Sequence, residues 1–148
     1  MIRSSCLILL YSALSLLLLS QTPAVAQNPI QWSGSVKQSV DRAVEQSLPL
    51  LFWVKEGSTL DNDNLEDAQE DSFRDPTVVS YVHNHFVPVR VNRNSRVIEE
   101  ASKLGLPTKF GLYCAVITTE GVLLAEMGPG EVANPEVFAA KLIGAYNK

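Results

Sequence analysis

Residues 50–54 read Leu-Leu-Phe-Trp-Val, an apolar run with no polar position to turn toward water. A strand that alternates can be wetted on one face. One that does not alternate must be covered on both, as a central strand between two helical layers is. The run then enters the small residues Gly57, Ser58 and Thr59, followed by Leu60 and an acidic segment. Any fold for this chain has to bury that strand twice.

The flanking patterns supply the cover. Ser35 and Gln38 have the spacing of a capping box, and Val36, Val40, Ala43 and Val44 make one stripe with Lys37, Asp41, Arg42 and Glu45 turned away. That spacing predicts a surface helix ending near Ser47, with residues 27–31 as a flexible lead-in. After the central strand, Asp61, Asp63, Glu66, Asp67, Glu70 and Asp71 crowd together. The dipole of a helix starting between residues 61 and 64 favours such acids in its first turns. Leu65, Ala68 and Phe73 give that helix a thin apolar side. Asp75 and Pro76 form an N-cap and first-turn pair for another helix, carrying Val78, Val79 and Val82. Residues 86–91 alternate as a strand, and Pro88 puts it at a sheet edge or turns the missing N–H away from a neighbour. Ser95 is expected to cap a helix with Val97, Ile98, Ala101 and Leu104 inward and Gly105 at its stop. Residues 112–118 read as a strand, Thr119, Glu120 and Gly121 as a hairpin turn, and residues 122–126 as the return strand. Gly128, Pro129 and Gly130 break the chain. Asn134 with Pro135 opens a last helix with Val137, Phe138, Leu142 and Ala145 toward the core. Strands joined through helices make a parallel pair, and the hairpin adds antiparallel strands. The expectation is an α/β fold: a mixed sheet of about four strands with helices on both faces.

The first residues stand outside that pattern. Arg3, an apolar run over residues 7–19, and the small-x-small order of Ala24, Val25 and Ala26 have the layout of an export signal cut before Gln27. The run falls short of the roughly 20 residues a spanning helix needs, so no stable membrane span is expected after cleavage. Retention as an anchor is the alternative. Cys6 precedes the apolar run and is not placed for lipid attachment. The expected division is residues 1–26 as a cleaved signal and 27–148 as a single domain, secreted or periplasmic. Removing 26 of 148 residues leaves 11 basic and 16 acidic side chains, a balance that speaks against nucleic acid as a partner. It also leaves one cysteine, Cys114, and therefore no internal disulfide.

Phe52 and Trp53 in the central strand, Ser-Phe-Arg-Asp-Pro-Thr-Val at 72–78, Phe-Val-Pro-Val-Arg-Val at 86–91 and the turn at Thr119, Glu120 and Gly121 together resemble the thioredoxin-like family. Exported thioredoxin-domain proteins are the nearest in style, over about residues 32–146. The resemblance implies a thioredoxin-like three-layer α/β/α sandwich. It also implies two cysteines, two residues apart, at the start of the helix after the central strand, where the dipole lowers the first thiol's pKa and the second resolves the mixed disulfide. The matching positions here are Gly57 and Leu60, so dithiol chemistry is excluded there. The family's cis-proline falls at Tyr113, with Cys114 just after it, when residues 111–121 are laid on the family's glycine, proline, threonine, strand and turn. Pro107 with Thr108 is the rival, but leaves too long a run before Gly121. A cis peptide at a non-proline residue costs roughly 3 kcal/mol, so Tyr113 is expected in trans. The groove the resemblance implies is then made by Trp53, Gly57, Ser58, Thr59, Leu60, Tyr113 and Cys114.

Each residue with chemistry to offer has a plainer role beside it. Cys114 can form mixed disulfides if exposed near residues 57–60, or serve as a small hydrophobe at the start of a core strand, with no neighbouring Lys, Arg or His to favour thiolate. Asp61, Asp63, Glu66 and Asp67 invite calcium, but an EF-hand loop needs an oxygen ligand where Leu65 stands and a glycine where Glu66 stands. The acids read instead as a solvated helix start. His83 and His85 make two metal ligands without a third and sit where a helix ends. Ser58 and Thr59 have no local base, so helix capping is the expectation. No metal or cofactor is expected. Two functions remain: a redox-inactive domain holding a peptide or protein partner, and a monothiol redox protein acting through Cys114.

Overall fold

The computed structural model of the chain describes residues 28–56, 60–93, 95–109 and 111–148, apart from the side chains of residues 60–62. In chain order the elements are α1 (Val36–Gln46), β1 (Leu50–Lys55), α2 (Leu60–Ser72), α3 (Pro76–His85), β2 (Val87–Asn92), α4 (Val97–Leu104), β3 (Tyr113–Ile117), β4 (Leu123–Met127), α5 (Pro129–Val132) and α6 (Pro135–Tyr146). The strands form a single mixed sheet in the order β2-β1-β3-β4. β1 runs parallel to β2 and antiparallel to β3, and β3 and β4 form the hairpin.

β1 is sunk in the middle, as its sequence requires: Leu50 to Val54 are each at most 1% exposed. Its alternate side chains feed two cores. Leu50, Phe52 and Val54 pack with Val36, Ala43 and Ala101 under α1 and α4. Leu51 and Trp53 pack with Phe73, Val82, Phe138 and Leu142 under α2, α3 and α6. Each large side chain so buried contributes about 1.5–3 kcal/mol. The architecture is therefore the three-layer α/β/α sandwich.

The local signals explain most element ends. Ser35 Oγ accepts from Gln38 N–H at 3.3 Å, and Asp75 accepts from the N–H groups of Thr77 and Val78 at 2.9 and 3.1 Å. Gly105 ends α4 in the left-handed conformation at φ 113°. Pro88 does lie in an edge strand. The Arg90 N–H, two residues on and so on the same side, donates outward to Ser33 O at 2.9 Å, which shows that the missing Pro88 N–H also faces away from β1.

Several expectations need correction. Residues 28–31 are not all a loose lead-in: Ile30 is 7% exposed, and Ser33 pairs with Val89 as a parallel bridge. Val44 points out at 61% exposure, while Ser39 is buried with its hydroxyl donating to Ser35 O at 2.7 Å. Ser95 does not cap α4; its hydroxyl donates back to Asn92 O. Gly128 opens a short helix, α5, where a plain break was expected, and the Glu131 carboxylate accepts from the Gly128 N–H at 2.9 Å. Val137 and Leu65 are both 38% exposed, and Ala139 takes the inward place in α6.

Candidate functional site

The helix after β1 is where the resemblance puts the reactive residues, so the C-terminal end of β1 is the place to build from. Gly57, Ser58 and Thr59 lie outside the described residues, as does the side chain of Leu60. What holds that end in place is described. Trp53, the fourth residue of β1, is 1% exposed, and its indole N–H needs a partner once buried. Gln69 of α2 provides it, accepting through Oε1 at 2.7 Å while its amide nitrogen lies 3.5 Å from Pro129 O. Gln69 is fully buried and ties α2 to the sheet and to the start of α5. One residue pair further along, Lys55 reaches Glu66 in an ion pair and places its ammonium 4.8 Å above the Trp53 ring.

The other flank is a relay of charges. Arg93 Nη1 lies 3.3 Å from Glu56 and donates to Lys109 O at 2.6 Å, and Lys109 in turn pairs with Glu126 of β4. The C-terminal end of β1 is therefore clamped on one side to α2 and on the other to the chain before β3. Sequence reading missed this set. Gln69 had a signal: it is four residues from both Leu65 and Phe73, an amide on the apolar side of an acidic helix.

Tyr113 opens β3 opposite Val54, at the same end of the sheet. Its hydroxyl donates to Pro107 O, so the two positions weighed for the family's proline are joined by a hydrogen bond. Burial pushes the Tyr113 phenol upward. All described peptide bonds are trans, that of Tyr113 included.

Cys114 faces Trp53 in β1 and Met127 in β4 and has no exposed surface. Burial pushes its thiol well above the ordinary value, so it stays a neutral thiol where a nucleophile would need to be a thiolate. The condition for a monothiol role, partial exposure near residues 57–60, is not met. Cys114 is a core side chain and does not line a groove. Trp53 and Tyr113, at 1% and 4% exposure, form the floor of this end of the sheet.

The remaining candidates disperse. His83 is exposed, whereas the His85 ring packs at a tilt against Tyr81 and Tyr146, with centroids 4.3 and 4.4 Å away. Among the described residues no three His, Cys, Asp or Glu side chains gather as a metal site, and no helix is long and apolar enough to cross a membrane.

The sheet order and the two helical layers define the class: this is a thioredoxin-like fold. Among solved structures the chain is similar to one described as DsbH oxidoreductase, with 19% identity over 87% of this chain and 92% of that one, at a TM-score of 0.65. It is also similar to a disulphide isomerase from Xylella fastidiosa Temecula1, with 21% identity over 76% and 83% of the two chains and a TM-score of 0.50. No protein-family model matches the chain, and no curated protein matches it.

Proposed function

We propose that the chain is an exported thioredoxin-like domain without thiol–disulfide chemistry, which holds a peptide or protein partner at the C-terminal end of β1, against residues 57–60 and the start of β3. The observation that carries this reading is the state of the sulfur. Disulfide exchange needs an accessible thiolate and a resolving thiol. The sequence has Gly57 and Leu60 where the pair would be, and Cys114 is fully buried. The solved neighbours are named an oxidoreductase and a disulphide isomerase. In this chain the same frame is left with recognition and no exchange. Residues 1–26 are removed on export, leaving Gln27 as the new N-terminus.

The redox half is tested by insulin reduction in dithiothreitol with a thioredoxin as positive control. No acceleration is expected, and a thioredoxin-like rate would end the reading. Iodoacetamide kinetics give a second readout: Cys114 should react only at the rate of unfolding. The binding half is tested by placing benzoylphenylalanine at Ser58, with the same label at exposed Lys37 as control. Protein crosslinks from position 58 alone are expected. Their absence, or equal crosslinking from both positions, counts against a partner at this end.

A further inference from the structure

We propose that a cavity beside the chain's two tryptophans binds a small carboxylate with a planar apolar body. The cavity has a volume of about 190 Å³ and lies on the α2 side of the sheet, where the stretch before α1 crosses it. Its walls are the rings of Trp32, Trp53 and Phe73, with centroid separations of 5.4 Å (Trp32 to Trp53), 4.9 Å (Trp32 to Phe73) and 4.7 Å (Trp53 to Phe73). The rings are packed on one another, tilted or edge-on, and Trp53 and Phe73 are 1% and 5% exposed, so they form an apolar floor and the half-buried Trp32 is the ring a flat apolar group would lie against. A dry cavity of about 150 Å³ holds one benzene ring, so this one has room for a ring and a short acidic arm.

Charge at the rim selects the acid. Arg74 and Arg90 both border the cavity, together with Glu70. Arg74 is occupied, with Asp71 at 3.0 Å and Glu70 at 3.5 Å. Arg90 is different. It is exposed, and its guanidinium has no hydrogen bond or ion pair among the described residues. It stands in register with Trp53 on the parallel neighbour strand, so the two side chains leave the same face of the sheet. An uncommitted guanidinium fork beside an aromatic wall matches a carboxylate in geometry and charge. The cavity shares Trp53 with the partner-holding end of the sheet but uses none of residues 57–60 and does not involve Tyr113.

Trp32 and Trp53 are the sequence's two tryptophans, so intrinsic fluorescence reads this cavity directly. Titration with phenylacetate should give a saturable change. Its neutral counterpart 2-phenylethanol should bind at least about tenfold more weakly, the worth of one charge-assisted hydrogen bond, and phenethylamine should give no response. Arg90→Gln should lose phenylacetate affinity by a similar factor and Arg90→Lys should recover part of it. Because Arg90 is exposed, both variants should keep the parent's circular dichroism and urea midpoint. A blocked dipeptide ending in phenylalanine, as free acid and as amide, distinguishes the source of the carboxylate. If the free acid binds more tightly than phenylacetate, the site takes a chain terminus; if more weakly, a small free acid; the amide should bind weakly in both cases. The proposal fails if phenylacetate does not saturate by about 10 mM, if 2-phenylethanol binds equally well, or if Arg90→Gln leaves the affinity unchanged.

Discussion

Replacing Gln69 with leucine keeps a buried side chain of similar bulk and removes the acceptor for the Trp53 indole N–H. That donor sits in a residue 1% exposed, 2.7 Å from the amide oxygen it would lose. Water cannot replace the bond, so the full desolvation penalty applies, about 1–3 kcal/mol. With a urea m-value of about 1–2 kcal/mol/M for a small domain, the midpoint should fall by about 1 M. Trp53→Phe strands the Gln69 carbonyl and also leaves a void, for a loss of about 2–4 kcal/mol. The double variant removes both polar partners together. Its loss should be smaller than the sum of the singles by about 1–2 kcal/mol. Far-ultraviolet circular dichroism in urea is the assay, because the substitution at Trp53 alters the fluorescence. Singles that add to within about 0.3 kcal/mol would refute the claim that this bond fastens α2 to the sheet. So would an unchanged midpoint for Gln69→Leu.

Two further outcomes follow from other contacts. A Cβ added at Gly121, whose φ is +86°, would stand 2.5 Å from Leu104 O, so Gly121→Ala should destabilise by more than about 1 kcal/mol in urea unfolding. A neutral result would mean the hairpin turn does not pack on the end of α4 as described. Glu131 has its pKa lowered, first by the Gly128 N–H bond and then by Lys141. A carboxylate depressed in the folded state stabilises above its unfolded pKa and loses that contribution as pH falls through the folded value. The midpoint difference between the parent and Glu131→Gln should therefore be largest at neutral pH and shrink toward about pH 2, and a difference that grows with acid would contradict the assignment.

What could be read in advance was whatever depends on neighbours in sequence. The double burial of Leu50 to Val54, the Asp75 cap, the Gly105 stop and the edge position of Pro88 are local rules, and the sandwich follows from their order. The misses share a different cause. Ser95 is compatible with a cap by type, but its hydroxyl found the Asn92 carbonyl first. Val44 continues the apolar stripe of α1, yet α1 sits rotated so that Ser39 goes inward and satisfies itself against its own helix. Gln69 is bound to a residue sixteen positions away, and Arg93 joins Glu56 to Lys109 across three segments. Such pairings leave no period to detect. For the candidate site, the sequence offered the end of β1 and the lone thiol Cys114 as the places to examine. It could not show that Cys114 is sealed between Trp53 and Met127, because that depends on strand register.

The pairing of Ser33 with β2 bears on solubility. A bare edge strand, with its unpaired N–H and C=O groups, is a template on which another chain can add a strand. The Ser33 N–H donates to Pro88 O at 3.1 Å, and the Arg90 N–H to Ser33 O at 2.9 Å, so one residue occupies two of the outward bonding positions in the first half of β2 while Pro88 removes a donor. The few residues ahead of α1 thus serve as a guard rail for the sheet. Trimming the domain at the start of its first helix would expose that edge and invite self-association.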